Sequence, residues 1–270
     1  MKTFLCALLM LMAGAVAAAP KAELWARWQI YDRINTDRID HAEWDLLLQK
    51  YVRASADGIN RVGYAQIDAE DRHRLADYLE HMQRTRISLY NRAEQRAYWI
   101  NLYNATTLSL VLDHYPLESI FKLDISPGWF AHGPWGKKLL KIENQEVSLD
   151  DIEHGILRPI WNDPRTHYSV NCASLGCPNL APRAWSAASM EAMLEAGARA
   201  YVNHPRGARV ENGRLQVSSI YEWFKSDFGG DDAGVIAHLR KYAEAPLAAQ
   251  LEGIGKISGN AYDWTLNGVK

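Results

Sequence analysis

Cysteine is scarce in this chain. Its 270 residues include three, Cys6, Cys172 and Cys177, which excludes a disulfide-dense scaffold. An excess of either charge is lacking too: 30 basic residues stand against 32 acidic ones, a formal net charge of −2. With no basic surplus and no charged run, nucleic acid is not expected as a partner, nor is a charged membrane surface. The chain has no phosphate-cradling glycine loop, no dinucleotide fingerprint and no Gly-x-Ser-x-Gly elbow. Ser174 precedes Gly176 by two residues but has no glycine two before it. There is no internal repeat, no low-complexity tract and no linker rich in proline, glycine and serine. Long apolar runs are missing beyond the first nineteen residues, so no transmembrane segment is expected in the rest of the chain.

Those nineteen residues read as an export leader. Lys2 gives a positive start, an apolar run extends from Phe4 to Val16, and small residues fill Ala13 to Ala19. This is the layout of a secretory signal cut after Ala17, Ala18 or Ala19. The run is shorter than the ~20 residues a membrane span needs, and Cys6 leaves with the leader. The expectation is a periplasmic or secreted protein. Residues 20–270 then form one globular domain whose two remaining cysteines meet an oxidising compartment.

Hydrophobic residues at 48% are ample for a core, and ten Trp with thirteen Tyr suit aromatic packing. Residues 22–53 read as helical, first through Leu24, Trp25, Trp28 and Tyr31 and then, after a polar turn at Asn35 to Asp40, from His41 to Val52 through Trp44, Leu47, Leu48 and Tyr51. A short strand within 58–67 and a helix begun by Asp68 follow. The strongest helix runs from about Ala93 to His114, before Pro116. Residues 124–136 form an irregular Gly/Pro/aromatic loop. The segment LLKIENQEVSL reads as a hairpin turning near Asn144. Ser148 caps a helix through Ile152 and Ile156, with Asp150 and Asp151 in its first turn. A strand leads into Cys172. Helices at 187–202, 220–228 and 233–243 surround a hairpin on Asn212-Gly213, and KISGNAYDWTLN reads as a last strand. The fold class is α+β: a single domain with a helix-rich N-terminal portion packed on a small, mostly antiparallel sheet.

The sharpest chemical signal is RTHYSVNCASLGCP, residues 165–178, which holds both remaining cysteines and His167. Together with YWINLYNATT, LDDIEHGILRP and the terminal YDWTLN, in this order, it resembles the family catalogued as domain of unknown function 547. The resemblance covers roughly residues 90–205, with echoes to the C-terminus. A usual family form has Cys-Gly-Ala where this chain has Cys172-Ala173-Ser174. The resemblance implies fold and boundaries. In some relatives the domain is joined to a glutaredoxin-like one, an association with thiol chemistry.

A thiolate is a nucleophile, and a neighbouring imidazole can lower its pKa or take its proton. Cys172 is therefore the candidate nucleophile of a thiol hydrolase or acyl transferase, with a papain-like or transglutaminase-like arrangement as the architecture to compare. His167 or His154 is the candidate general base. On one continuous strand, residues 167 and 172 face opposite sides, so a His167–Cys172 pair needs a bend near Asn171. Asp150, four residues before His154, can orient that ring or raise its pKa; otherwise His154 is a partly exposed helical histidine without a role. His132 has similar standing. Glu94, Asn101 and Asn104 fall near one face of the long helix. They read either as a buried network tying down loops or as orienting groups for a catalytic histidine.

The alternative is non-catalytic. A Cys172–Cys177 disulfide would stiffen the loop around Gly176, and the aromatic loop from Trp129 to Trp135 would bind an envelope peptide, glycan or protein. Zinc on His167, Cys172 and Cys177, completed by His154 or His132, is a further option. Its Cys-x4-Cys spacing is looser than common zinc sites and does not repeat, so no metal or cofactor is assigned. Asp263 and Trp264 could complete a site from the end of the chain.

Overall fold

The computed structural model describes residues 20–128 and 132–269. Residues 1–19, where a leader is expected, together with Trp129, Phe130 and Ala131 of the aromatic loop, lie outside the described residues.

Of the two helical stretches expected within 22–53, the first does not form as a helix and the second does. A 3-10 turn, Ala26–Gln29, and helix α1, Ala42–Tyr51, are separated by irregular chain. Local side chains compete for the backbone there: Ile34 N–H donates to Asp32 Oδ1 at 3.0 Å, and Ala42 N–H donates to Asp40 Oδ1 at 2.8 Å. The leading stretch is instead a strap. Glu23 and Trp25 N–H donate to the carbonyls of His154 and Gly155 at 3.0 and 2.9 Å.

Strands β1, Val52–Ala54, and β2, Asn60–Val62, pair antiparallel. Helix α2, Ala69–Arg84, starts on Asp68, whose Oδ1 accepts from Asp71 N–H at 2.9 Å. Helix α3, Arg92–Asp113, is capped by Asn91 and buried on almost every side. A helix apolar all round belongs in the core, and the polar exceptions on α3 position the site. Strands β3, Leu140–Ile142, and β4, Gln145–Val147, form the expected hairpin. Its turn residues Glu143 and Asn144 have φ of 44° and 66°, as a tight two-residue hairpin requires.

Ser148 caps the next helix as expected, its Oγ accepting from Asp151 N–H at 3.1 Å. The element is a π-helix over Asp151–Leu157 that runs on into α4, Arg158–Trp161. No strand leads into Cys172. Pro164–Tyr168 is a 3-10 helix, and Ser169 turns back onto Thr166, its Oγ donating to the Thr166 carbonyl at 2.7 Å. Residues 166–171 are all buried, so the alternation read there does not divide a dry face from a wet one.

The C-terminal part comprises α5, Met190–Val202, strands β5, Ala208–Glu211, and β6, Arg214–Ser218, and helices α6, Ser219–Trp223, α7, Asp232–Tyr242, and α8, Ala245–Gln250. Strand β7, Ile257–Ala261, lies parallel to β6 and completes a sheet of order β5-β6-β7. Three of the four strand pairings are antiparallel, and the α+β reading holds.

Two apolar cores result. One gathers α1–α3, the β3–β4 hairpin and the π-helix; the other gathers the β5–β7 sheet with α5–α7. The chain from 164 to 180 runs along their seam, with Val170 and Ala173 in the first core and Tyr168 in the second. Among the described residues no helix is long and apolar enough to cross a membrane.

Candidate functional site

The cysteine loop is held from α3. Asn104 Nδ2 donates to the Ser169 carbonyl at 2.9 Å, and its Oδ1 accepts from Asn171 N–H at 2.8 Å. Asn171 then folds the loop on itself: its Oδ1 accepts from Ala173 N–H at 2.9 Å and its Nδ2 donates to the Pro178 carbonyl at 2.7 Å. Ala173 is left at φ 57°, a left-handed conformation that an L residue adopts only where its surroundings fix it.

The C-terminal tail closes over this loop. Leu175 and Gly176 N–H donate to the Thr265 and Asp263 carbonyls, both at 2.8 Å, and Asn267 N–H donates to the Ala173 carbonyl at 3.1 Å. A Cβ on Gly176 would lie 2.7 Å from Asp263 N, so glycine is required by close approach.

Cys172 is part-exposed, Cys177 is buried, and both are free thiols. Cys172 N–H points at Cys177 Sγ, 3.0 Å away. Cys172 Sγ lies 2.9 Å from Tyr262 Oη and 3.3 Å from Ser174 Oγ, and Ser174 Oγ donates to Tyr262 Oη at 3.0 Å. Burial pushes the Cys172 thiol up, but its polar contacts with Cys177, Ser174 and Tyr262 outweigh it and hold the thiol below its ordinary value. Cys177, without that compensation, is pushed well up. The Tyr262 ring packs on Trp223 and Trp264 at 4.9 and 4.6 Å, and Trp264 continues to Trp135 and Phe121 at 5.5 and 4.9 Å. This forms a part-exposed aromatic wall beside the thiol.

The histidines gather elsewhere. His167 Nε2 donates to Asp227 Oδ2 at 2.8 Å, and its Nδ1 is 3.4 Å from Glu153 Oε1. Burial alone would lower the His167 pKa; the bonds to Asp227 and Glu153 overcome that and raise it. Arg158 grips the same Asp227 through Nε and Nη2 at 2.6 and 3.0 Å, and donates from Nη1 to His154 Nδ1 at 2.9 Å. A guanidinium has no acceptor, so His154 Nδ1 is unprotonated and its Nε2 carries the hydrogen, 3.6 Å from Asp150 Oδ1. Phe224 lies against all three cations-in-waiting, stacked on His167 at 4.3 Å, beside His154 at 5.6 Å and under the Arg158 guanidinium at 4.7 Å.

His154 is therefore neither partly exposed nor raised by Asp150. It is buried, and burial lowers its pKa to about 4. Asp150 moves the other way, pushed up to about 7 by burial and by the charges of Glu153 and Asp151. Glu153 is driven up by burial but drawn down to about 2 by His154, His167 and Arg158. With His154 neutral at pH 7, His167 and Arg158 are the cations that keep it ionised there.

Of the expected site residues, then, His167 and His154 share one cluster, but no histidine among the described residues reaches hydrogen-bond distance of Cys172 Sγ. Asn101 is turned to another segment, exchanging two hydrogen bonds with the backbone of Trp185 at 2.8 and 2.9 Å. Glu94 accepts from Ile39 N–H at 3.2 Å. Both tie down backbone, the structural alternative read for them. His132 is exposed and packs on Phe121 at 5.5 Å. The end of the chain does reach the cysteine, but through Tyr262; Trp264 joins the aromatic wall, and Asp263 contributes its backbone. Among the described residues no three His, Cys, Asp or Glu side chains converge as a metal-binding group. Sequence reading missed Ser174, Tyr262, Arg158, Phe224 and Asp227. Ser174, Arg158 and Tyr262 carried a signal, their places in the RTHYSVNCASLGCP, LDDIEHGILRP and YDWTLN motifs; Phe224 and Asp227 carried none.

Residues 87–202 match the family model described as a protein of unknown function, DUF547. This stretch is similar to the DUF547 family. It contains α3, the π-helix, the cysteine loop and α5. Asp227 and Phe224 of the imidazole cluster, and Tyr262 of the thiol corner, come from beyond the DUF547 match. No curated protein and no solved structure matches the chain, so the papain-like or transglutaminase-like comparison rests on residue types alone.

Proposed function

We propose that this protein is a thiol-dependent hydrolase or acyl transferase with Cys172 as nucleophile, working in the periplasm or outside the cell. The observation that carries the reading is a part-exposed thiol set between two hydroxyls on a loop that asparagines immobilise. A group held in place and stabilised as its anion needs little reorganisation before attack. The Cys172 thiolate adds to an ester, thioester or amide carbonyl, and the carbonyl π pair moves to oxygen. Collapse expels the alcohol, thiol or amine, which takes up a proton. Water or a second nucleophile then cleaves the thioester and frees the sulfur. His167 and His154 enter as the electrostatic surroundings of this corner rather than as a base in contact with the sulfur.

Incubation with p-nitrophenyl acetate tests the reading. The expected result is an early burst and a mass increase of one acetyl group on the peptide containing Cys172, both lost in Cys172→Ala. Equal turnover by wild type and Cys172→Ala would sink it. A second reading draws support from the approach of Cys172 N–H to Cys177 Sγ: a disulfide here would make the protein a non-catalytic domain binding envelope peptide, glycan or protein. Titration showing no free thiol in unreduced protein favours that one. Export is tested by the N-terminal residue of the protein recovered from cells, expected at Ala18, Ala19 or Pro20.

A further inference from the structure

We infer that Tyr262, brought in by the C-terminal tail, is a catalytic residue of the Cys172 site, donating the hydrogen bond that keeps the sulfur as a thiolate. The inference rests on the reading of Cys172 as the nucleophile and adds the group that prepares it. Three heavy atoms form a closed triangle: Sγ to Tyr262 Oη at 2.9 Å, Sγ to Ser174 Oγ at 3.3 Å, and Ser174 Oγ to Tyr262 Oη at 3.0 Å. Ser174 donates to the tyrosine oxygen. The phenolic proton is then free to point at the sulfur, the shorter of the two contacts to Sγ.

The tyrosine cannot act as the base. Burial and the neighbouring thiols push its own pKa well above the usual phenol value, so it stays protonated and remains a donor at every pH where the thiol titrates. A neutral donor of this kind stabilises the thiolate without the mutual desolvation cost of a buried ion pair. It also explains how a cysteine without an imidazole in contact can be prepared for attack.

The placement is enforced. The tail runs against the cysteine loop so closely that Gly176 has no room for a side chain, two backbone bonds of 2.8 Å fix Asp263 and Thr265 on either side of Trp264, and Trp223 and Trp264 hold the Tyr262 ring at 4.9 and 4.6 Å. Tyr262 is 90 residues from Cys172 and lies outside the DUF547 match at 87–202. The working unit is therefore the matched stretch together with the tail.

The test is the pH dependence of Cys172 alkylation by iodoacetamide on the full chain, read by peptide mapping so that Cys177 is scored separately. Tyr262→Phe keeps the ring and its packing and removes only the hydroxyl. The alkylation midpoint is expected to rise by about one pH unit or more, since a hydrogen bond to a charged group is lost. Ser174→Ala should shift it in the same direction by less. Far-ultraviolet circular dichroism, which reports the backbone, should be unchanged in Tyr262→Phe. An unmoved midpoint in a folded Tyr262→Phe protein overturns the inference. Wild-type Cys172 that resists alkylation at every pH removes both this inference and the nucleophile reading. A shifted midpoint with no acetyl-enzyme sinks acyl transfer alone and leaves the tyrosine–sulfur bond standing.

Discussion

Two corners of the molecule hold the residues that thiol chemistry would call on, and they are built on opposite principles. The imidazole cluster of Glu153, His154, Arg158, His167 and Asp227 is buried and charged, with each charge matched by a partner. The thiol corner is part-exposed, and the side chains set around the Cys172 sulfur are the neutral hydroxyls of Ser174 and Tyr262. Groups locked in mutual ion pairs are costly to move and poor at exchanging protons. A thiol under neutral donors is free to react. The comparison teaches that a nearby histidine in sequence is no measure of a base in space: His167, five residues from Cys172, spends both ring nitrogens on carboxylates.

The largest test of that contrast is Asp227→Ala. It strips one carboxylate from two buried cations, Arg158 and His167, and should cost about 3–5 kcal/mol in urea unfolding. A loss under about 1 kcal/mol would mean the cluster is not the ion-pair core described here. The alkylation rate of Cys172 should change far less than the stability.

Next in size are two asparagines one turn apart on α3. Asn101→Ala and Asn104→Ala each break two buried hydrogen bonds to backbone and should each cost about 2–3 kcal/mol. They separate in chemistry. Asn104 holds Ser169 and Asn171, so its loss should loosen the cysteine loop and expose Cys177 to alkylation; Asn101 holds Trp185, and its loss should leave Cys177 protected. Equal Cys177 reactivity in the two variants would erase the distinction.

The pH response should separate the regions as well. Glu153 and Asp227 have depressed pKa values in the folded protein. The contribution of Glu153 to stability is present above about 4.5, its ordinary value, and is lost as pH falls through about 2; that of Asp227 is present above 3.8 and is lost at lower pH. His167 has a raised value, so its contribution is full below 6.5 and is lost as pH rises through its folded value. Asp150 and His154 oppose one another. Between 6.5 and about 4 the unfolded chain protonates His154 first, which lowers stability as pH falls; between about 7 and 3.8 the folded chain protonates Asp150 first, which raises it. Asp150→Asn should therefore unmask a steeper loss of stability from pH 6.5 to 4 than wild type shows, measured as the urea midpoint against pH. Parallel profiles would count against the pairing.

The smallest effects belong to the sulfurs themselves. Cys177→Ala, at a buried site, should cost about 1 kcal/mol and Cys172→Ala less, the scale of one buried methylene-sized group. Equal losses of ~2–4 kcal/mol in unreduced protein would instead reveal a disulfide and turn the thiol corner into a staple.

Much of the architecture was legible because it depends on neighbours in sequence. Asp68 and Ser148 cap helices through side chains three residues from the groups they satisfy, and the two hairpins announce themselves by Asn144 and by Asn212-Gly213, which tolerate positive φ. The same local logic misled at Leu24 to Tyr31, where apolar spacing looked helical but Trp28 is buried by contact with Trp99, 5.0 Å away on α3. It misled again before Cys172, where alternation implied a strand although every residue from 166 to 171 is buried by tertiary contacts. The site was the least legible part. Asp227 lies 60 residues from His167 and carries no local mark, and Asn104, read as a network residue, reaches 67 residues ahead to Asn171.

By itself the sequence determined where several helices begin, where hairpins turn and which family the 87–202 stretch resembles. The tertiary structure alone decided what that sulfur touches. Hydrogen-bond distance is a property of folded space, and only the closure of the tail over the cysteine loop sets a phenol 2.9 Å from the thiol while burial and ion pairing hold the imidazoles elsewhere.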